Sequence, residues 1–415
     1  MKWISIIPLI GGMSLGAKEA LGTLPEVILS YKPFKLNDLF ILKYWNYDNY
    51  HVINDDNVLP HNLELNNIDI VNAVCPCAGL SMLNSSNMGS DAPQNIWLYK
   101  TAEIILRDVK PQVFLGENAP GLFTNLGAGV VDNLRSVGKQ YGYTFSMYKT
   151  DNSSHGVPQK RIRTFYFFWK GDKTPLLPWV DKPTENLIDF LSLIPENSLY
   201  HDKVYHTERL KNEILWKFLI ENITPDTQEL RSKVFKENPT KEYVSAFRFL
   251  LKNEKLSSTK VKENKKLIDL WCNKIINESS NENDITEVKK LKHKTDHIIE
   301  KINSNKNIWD SSMRFIKGNH INAVTSKNKF MDIHPKEDRF FTLREQMWLM
   351  KLPHDFLLDG TIESEIKNKN VIAQNVIVDS AKDVHKWAKS FIENKLELIE
   401  TDFIKQNNIN KKIIK

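Results

Sequence analysis

The chain has 415 residues, of which 41% are hydrophobic and 26% charged, a balance typical of globular proteins. This composition excludes a wholly disordered, collagen-like or coiled-coil chain, and at about 150 residues per domain the length predicts two or three domains. The formal net charge is only +6, but residues 301–330 hold six basic residues against one acid. That stretch favours either a polyanionic partner or a solvated lysine-rich surface.

The cysteines and the apolar runs bear on location. Cys75, Cys77 and Cys272 are too few to cross-link a chain of this size, which favours a reducing compartment. No run reaches the ~18 apolar residues of a membrane span, so no membrane partner is expected. Met1-Lys2 followed by the apolar run Trp3–Ile10 imitates a signal peptide, but it fits a buried strand leading into a glycine turn and a helix equally well.

Short apolar runs alternate with helix-like stretches up to about residue 170, which predicts βα units around a mostly parallel sheet. A polar loop, Ala78 to Gln94, precedes a helix over Ile96–Val109 and is interpreted either as a moving lid or as plain disorder. Another helix begins at Asp379-Ser380, and the polar tail from Asn407 is expected to fray. The six predicted strands are Trp3–Ile7, Glu26–Ser30, Asp69–Val74, Gln112–Leu115, Tyr143–Tyr148 and Thr164–Trp169.

Cys77 is the candidate nucleophile. It follows a predicted buried strand, beside Pro76 and before a polar loop, and the carboxyl ends of parallel strands are where such sheets bind ligands. A zinc site is the alternative, but Cys75 and Cys77 are spaced too tightly for the usual ligand pair and no second pair exists, so no metal is expected. A buried structural cysteine is the other alternative, and it suits Cys75 better than Cys77.

Charged residues follow two further predicted strands. Glu117 ends an apolar strand, where partial burial would raise its pKa and let it hold or deliver a proton. Arg161 and Arg163 stand two residues apart at the mouth of another strand and are expected to face the same side, where they would serve an anion or a carbonyl oxygen. Two ordinary surface arginines remain the alternative.

These blocks, in order and spacing, resemble the motifs of the cytosine carbon-5 DNA methyltransferases. Residues 76–81, Pro-Cys-Ala-Gly-Leu-Ser, resemble the family's Pro-Cys-Gln-Gly-Phe-Ser, and residues 117–119 its Glu-Asn-Val. Residues 156–163 are similar to Gly-x-Pro-Gln-x-Arg-x-Arg. Residues 343–345 with 352–356 resemble the Arg-Glu and Phe-Pro-x-x-Phe block, and residues 372–376 resemble Ile-Gly-Asn-Ala-Val.

The resemblance implies an α/β fold, a Rossmann-like methyltransferase sheet with helices on both faces plus a smaller inserted target-recognition domain. The implied domains are a catalytic domain, 1–171, a target-recognition domain, 172–334, and a C-terminal segment, 335–415, that returns to the catalytic domain. The implied cofactor is S-adenosyl-L-methionine. Its turn departs from the family's Phe-x-Gly-x-Gly, because Ile7-Pro8-Leu9-Ile10-Gly11 stands there. The implied cofactor-binding residues are Ile10, Gly11, Gly12, Asp55, Pro76 and Asn375.

By the same resemblance, Cys77 attacks carbon-6 of a flipped-out cytosine, Glu117 donates a proton at nitrogen-3 and Arg163 binds the base's carbonyl oxygen. Arg161 is included with these catalytic residues, and the loop from Ala78 to Gln94 would close behind the base. The residues expected to contact nucleic acid are Ser81, Gln159, Arg314 and Lys317.

The implied function is DNA (cytosine-5-)-methyltransferase. Double-stranded DNA is the expected partner, with the protein acting as a monomer, a cognate restriction nuclease as a candidate companion, and a cytoplasmic, nucleoid-associated location. Two alternatives stay open: a transfer-RNA cytosine-5 methyltransferase, and a catalytically inactive relative that only binds DNA. Methylation of adenine or of an exocyclic amine is disfavoured, because the sequence has no Asn/Asp/Ser-Pro-Pro-Tyr/Phe/Trp motif.

Overall fold

The computed structural model describes residues 1–54, 57–60, 63, 65–75, 78–80, 89–203, 313–315, 319–324, 331–337, 341–358 and 365–414, with isolated positions between 269 and 296. The chain divides into two compact units. The first comprises residues 1–198, 319–326 and 343–415, and the second comprises residues 199–318 and 327–342. The functional limits predicted from the sequence, at 171 and 334, stay a prediction.

A nine-stranded sheet organises the first unit. From one edge to the other, its strands are β3 (Tyr50–Ile53), β2 (Val27–Tyr31), β1 (Trp3–Ile6), β4 (Ile70–Ala73), β5 (Val113–Asn118), β8 (Ile162–Lys170), β6 (Tyr143–Asp151), β14 (Phe403–Asn407) and β15 (Lys412–Ile414).

The sheet is mixed. The five neighbouring strands β3, β2, β1, β4 and β5 run parallel to one another. Strand β8 is antiparallel to both its neighbours, β14 is parallel to β6, and β15 is antiparallel to β14. This is a Rossmann-like α/β sheet, as predicted, and all six predicted strands are confirmed. The apolar start of the chain forms β1, which is wholly buried between β2 and β4.

Among the described residues, three short strand pairs lie outside the large sheet. In the first unit, β7 (Gln159–Lys160) pairs with β11 (Ile321–Asn322) and β9 (Thr174–Pro175) with β13 (Leu398–Ile399). In the second unit, β10 (Met313–Phe315) pairs with β12 (Met331–Ile333).

The helices include both that were predicted. Residues 96–109 form helix α3 followed by a π-helical turn, Ile105–Val109, and residues 378–392 form α8. No helix in the described parts of the chain is long and apolar enough to cross a membrane. The helices whose bounds the structure describes are α1 (Gly12–Leu21), α2 (Lys35–Trp45), α3 (Ile96–Ile104), α4 (Ala128–Gln140), α5 (Leu187–Ser192), α6 (Leu343–Trp348), α7 (Glu365–Gln374) and α8 (Val378–Ile392).

Strand β8 shows how helices come to cover both faces of the sheet. Its aromatic side chains alternate between the two faces, as the period of a strand requires. Phe167 and Trp169 belong to a core that includes residues of α1 and α8, whereas Tyr166 and Phe168 belong to a core that includes residues of α3 and α4. A run of five apolar residues is therefore buried throughout.

The expectation that the tail frays from Asn407 is wrong, because β14 and β15 pair at the edge of the sheet. Asn408 explains why this polar segment stays in place. Its buried amide oxygen accepts hydrogen bonds from the Tyr148 hydroxyl at 2.8 Å and the Val180 amide at 3.0 Å, and its nitrogen donates to the Val180 carbonyl at 2.8 Å. These bonds satisfy every polar group of the side chain inside the protein.

A buried chain of hydrogen bonds connects the first strand with the last helix. The Ser14 hydroxyl donates to Ser5 at 2.7 Å, and Ser5 donates to the Asn72 amide oxygen at 3.1 Å. The Asn72 nitrogen donates to Nε2 of His385 at 3.0 Å, and Nδ1 of His385 donates to the Ala381 carbonyl at 2.7 Å. Since a carbonyl can only accept, Nδ1 carries the proton and Nε2 must be unprotonated to accept from Asn72.

We expect His385 to make the protein lose stability in mild acid. Burial lowers its pKa from 6.5 to about 4, so the unfolded chain binds a proton that the folded one resists. The contribution of His385 to the free energy of unfolding is therefore fully present above pH 6.5. It falls by about 3 kcal/mol as the pH drops towards 4. Urea unfolding at pH 7 and pH 4.5 measures this loss. His385→Gln should remove most of the difference and His51→Gln, on the edge strand β3, should not. An equal pH dependence in both variants would contradict the expectation.

Candidate active site

The turn after β1, residues 7–11, has a strained backbone. Ile7, Leu9 and Gly11 all have positive φ, at 49°, 53° and 108°. Only glycine adopts such angles freely, and they are least favourable for a β-branched residue such as isoleucine. Backbone strain of this kind is concentrated at functional sites. Leu9 thus keeps a left-handed conformation at the place where the resembled motif has glycine.

Two hydrogen bonds connect this turn to β2 and α2. The Ile7 amide donates to the Leu29 carbonyl on β2 at 2.9 Å, and the Leu9 amide donates to Oδ1 of Asp38 on α2 at 3.0 Å. Asp38 is fully buried, and burial raises its pKa to about 7. Asp38 is not among the site residues predicted from the sequence. The signal available was an acid that shares the inner face of α2 with the apolar Ile41.

The predicted cofactor residues Gly12 and Asn375 are in direct contact. The Gly12 amide donates to Oδ1 of Asn375 at 2.8 Å, and a Cβ at Gly12 would lie 1.9 Å from the Val376 carbonyl oxygen. Gly12 therefore admits the returning C-terminal segment against α1. The Asn375 amide nitrogen is buried and has no hydrogen-bond partner among the described residues. The neighbouring Ile10 is fully buried as well.

Glu117 and Arg163 form the central ion pair. Glu117 lies near the carboxyl end of β5, and Arg163 lies on the adjacent antiparallel strand β8. Nε of Arg163 is 2.6 Å from Oε1 of Glu117, and the Glu117 side chain is only 5% exposed. Burial raises the pKa of Glu117, although Arg163 and Arg161 act to lower it. The site therefore pairs a desolvated carboxyl group with an arginine whose side chain is still 20% exposed.

Arg161 has different partners from Arg163. Its buried guanidinium donates to three main-chain carbonyls, those of Ala373 at 2.7 Å, Asn375 at 3.0 Å and Val324 at 3.0 Å. These bonds hold the segment around Asn375 next to β8. The contacts are those of a residue that positions main chain, and a catalytic part for Arg161 stays a prediction.

Gln159 is also buried among main-chain groups. Its amide nitrogen donates to the Leu349 carbonyl at 2.9 Å, and its oxygen accepts from the Val324 amide at 3.1 Å. Both ends of the side chain are thus occupied by protein groups. The predicted contact between Gln159 and nucleic acid stays a prediction.

A cluster of His155, Asp383 and the partly exposed Lys182 fastens the chain just before residues 156–163 to α8. Nδ1 of His155 is 2.8 Å from Oδ2 of Asp383, and Nε2 is 3.0 Å from the Thr150 hydroxyl. Lys182 contacts the other oxygen of Asp383 at 2.6 Å. Burial acts to raise the pKa of Asp383, but His155 and Lys182 outweigh it and hold the pKa below its usual range. His155 and Thr150 are buried, so this cluster fixes structure.

The segments on either side of Cys77 lie beside the chain that follows Glu117. Before it, Cys75 is buried, with Sγ 3.6 Å from the Trp97 carbonyl oxygen. After it, residues 78–80 form a short 3-10 turn, and a Cβ at Gly121 would lie 2.2 Å from the Leu80 carbonyl oxygen. The chain that leaves β4 therefore packs closely on the chain that leaves β5.

Several predicted site residues have no described position. Asp55, Pro76, Cys77, Ser81 and Lys317 lie outside the described residues. Most of the loop predicted from Ala78 to Gln94 does as well, although residues 89–94 are described and include the short turn Gly89–Asp91. Arg314 belongs to β10.

A Rossmann-like sheet with a buried acid–arginine pair at its strand ends is typical of α/β enzymes, which bind their ligands at this edge of the sheet. The family model of the C-5 cytosine-specific DNA methylases matches residues 1–390. The chain belongs to this family, and the resemblance drawn from its motifs is confirmed.

Curated relatives align with short parts of the chain. The type II methyltransferases M.BanI of Aneurinibacillus aneurinilyticus and M.NgoPII of Neisseria gonorrhoeae are each 34% identical to it, over 79 and 68 residues. The aligned parts cover 19% and 16% of this chain and 18% and 20% of the relatives. The alignment thus spans about a fifth of each relative's length.

Solved structures share the fold over nearly the whole chain. The methyltransferase EhMeth of Entamoeba histolytica superposes with a TM-score of 0.55 at 11% identity, covering 94% of this chain and 98% of its own. A Spodoptera frugiperda DNMT2 gives a TM-score of 0.51 at 13% identity, covering 94% of this chain and all of its own. At such identities the similarity concerns the fold.

Proposed function

We propose that this protein is a DNA (cytosine-5-)-methyltransferase that methylates carbon-5 of a flipped-out cytosine through a transient covalent bond to Cys77. One observation carries the proposal. In a chain of this family, the buried Glu117–Arg163 pair lies at the carboxyl end of β5, beside the segments that flank Cys77. Such a site can present a proton and a fixed positive charge to one edge of a base.

The reaction follows from what each side chain can do. The Cys77 thiolate adds to carbon-6, and Glu117 gives its proton to nitrogen-3, so that carbon-5 becomes electron-rich. Arg163 donates to the carbonyl oxygen of the base and steadies Glu117. After the methyl group is transferred, water accepts the carbon-5 proton, the ring double bond forms again as Cys77 leaves as a thiolate, and nitrogen-3 returns its proton to Glu117. Burial suits Glu117 to this task, because the raised pKa keeps the acid form to higher pH than in a free glutamate.

S-adenosylmethionine, when bound, supplies the electrophilic methyl group. The residues near the turn 7–11 fit such a ligand, since the backbone there is held in a strained conformation and the Asn375 amide nitrogen is buried without a partner among the described residues. Ile10, Gly11, Gly12 and Asn375 would hold the cofactor, and Asp55 and Pro76 would complete its site.

Double-stranded DNA is the proposed substrate, and a duplex hides the reacting face of cytosine. The base must therefore flip out, which costs roughly a few kcal/mol. Residues 172–334 would read the target sequence, with Arg314 and Lys317 at phosphate or base edges and Ser81 and Gln159 near the flipped base. The protein would act as a monomer, in the cytoplasm on nucleoid DNA, with a cognate restriction nuclease as companion.

Incubation with S-adenosylmethionine carrying a labelled methyl group tests the proposal. We expect label in duplex DNA, in 5-methylcytosine, and none in transfer RNA. Bisulfite sequencing of DNA from cells that express the protein would then identify the target sequence. Label in transfer RNA alone would replace the proposal with the RNA enzyme. No binding of S-adenosylmethionine in calorimetry would indicate an inactive DNA-binding relative.

A further inference from the structure

Helix α2 presents two side chains to the turn 7–11. Asp38 and Ile41 are three residues apart and therefore share one face of the helix. Oδ1 of Asp38 accepts the Leu9 amide at 3.0 Å, and the Ile41 side chain fills the space beside Gly11, where a Cβ would lie 2.6 Å from it. The second oxygen of Asp38 accepts the Tyr50 hydroxyl of β3 at 3.0 Å. One fully buried carboxyl group thus joins the turn, α2 and β3.

Leu9 needs such support more than a glycine would. Its φ is 53°, and a left-handed backbone is unfavourable for an L-residue with a side chain by a factor of roughly ten. Glycine has no Cβ and adopts the same angle freely. A hydrogen bond that captures the Leu9 amide in this conformation offsets the preference of leucine for negative φ.

We propose that Asp38 is a positioning residue that holds Leu9 in the left-handed conformation needed by the S-adenosylmethionine turn, and so replaces the conformational freedom of a glycine. The inference rests on the proposed function, because it takes residues 7–11 as the cofactor turn. Asp38 does not have to touch the cofactor. It needs only an oxygen that accepts the Leu9 amide, which asparagine also supplies and alanine does not.

A double-mutant cycle tests the coupling between Asp38 and Leu9. The dissociation constant for S-adenosylmethionine is measured by calorimetry on the full chain. Asp38→Ala should raise it about tenfold when residue 9 is leucine and less than about threefold in the Leu9→Gly protein, where the turn no longer needs the bond. Asp38→Asn should stay within about threefold of wild type. Asp48→Asn, at an exposed position just after α2, is the matched control and should change nothing.

Amide hydrogen exchange without cofactor gives a second measurement. Asp38→Ala should speed exchange in the peptide that holds residues 7–11. The same substitution should speed it less in the Leu9→Gly protein. The peptide of β5 should exchange as in wild type. If Asp38→Ala does not fold, Asp38→Ser takes its place, since its hydroxyl is too short to reach the Leu9 amide.

The outcomes separate this inference from the function on which it rests. If wild type binds S-adenosylmethionine and Asp38→Ala weakens binding equally with leucine and with glycine at position 9, Asp38 acts only through general stability and the inference fails alone. If wild type shows no binding, the proposed function fails and takes the inference with it. A weakening confined to the leucine protein supports both.

Discussion

Cys77→Ala is expected to abolish methyl transfer, lowering the turnover number by at least about 10⁴-fold, while binding of duplex DNA changes less than about threefold. Carbon-5 of cytosine is a weak nucleophile, and addition of the thiolate at carbon-6 is the step that activates it. Without sulfur at this position no other group in the proposed mechanism can form that bond. Labelled-methyl incorporation measures turnover, and a filter-binding or gel-shift titration measures DNA affinity.

Cys75→Ala is the matched control, because Cys75 is two residues away, is buried and has no part in the proposed chemistry. It should keep turnover within a few-fold, at a modest cost in stability. DNA containing 5-fluorocytosine adds a direct test, since fluorine at carbon-5 cannot leave as a proton and traps the adduct. Wild type and Cys75→Ala should form a denaturation-resistant complex with it. Turnover in Cys77→Ala at the wild-type rate would remove the covalent mechanism.

Glu117→Gln is expected to lower kcat/KM by about 10² to 10³-fold. Glutamine keeps the size of the side chain and can still contact Arg163, but it cannot give up a proton at nitrogen-3. Burial raises the pKa of Glu117, so the acid form is present below that raised pKa and is lost as the pH increases through it. The wild-type kcat/KM should therefore decline on the alkaline side, and the residual activity of Glu117→Gln should lack this decline.

Glu103→Gln provides the control for Glu117→Gln. Glu103 lies on α3, its side chain is half exposed, and its partner is the surface residue Arg107. This variant should match wild type in rate and in pH profile. A Glu117→Gln protein within threefold of wild type would show that proton donation at this position is not needed. Unchanged thermal unfolding would show that a rate loss comes from chemistry.

The sequence predicted the strands in the middle of the large sheet and missed β3, β14 and β15, which lie at or next to its edges. Strands β1, β4 and β5 are mostly apolar and buried at every position, because helices cover both sides of the sheet. Strand β3, Tyr50–Ile53, is mostly half-exposed, and all three residues of β15, Lys412–Ile414, are exposed. Edge strands owe their place to main-chain pairing, which leaves little mark on composition.

The residues of the candidate site were foreseeable only in part. Glu117 and Arg163 follow from charged residues at the ends of apolar runs, since neighbouring strands bring such ends together. The partners of Arg161 did not follow, because they are main-chain carbonyls at residues 324, 373 and 375, and any residue type can supply a carbonyl. Asp38 was not predicted for a related reason. Its partner is the main-chain amide of Leu9, and no single residue type encodes the left-handed conformation that presents this amide.

The returning C-terminal segment has a consequence for synthesis. Asn375 caps the start of α1, α8 shares a core with α1, and β14 extends the sheet beside β6. A nascent chain lacks some or all of these pieces until residues 375–407 have been made, so the face of the sheet that α1 and α8 share stays only partly covered until then. Chaperone dependence should accordingly be greatest late in elongation, and two co-expressed fragments divided within residues 204–268 should reassemble better than a protein shortened by its final forty residues.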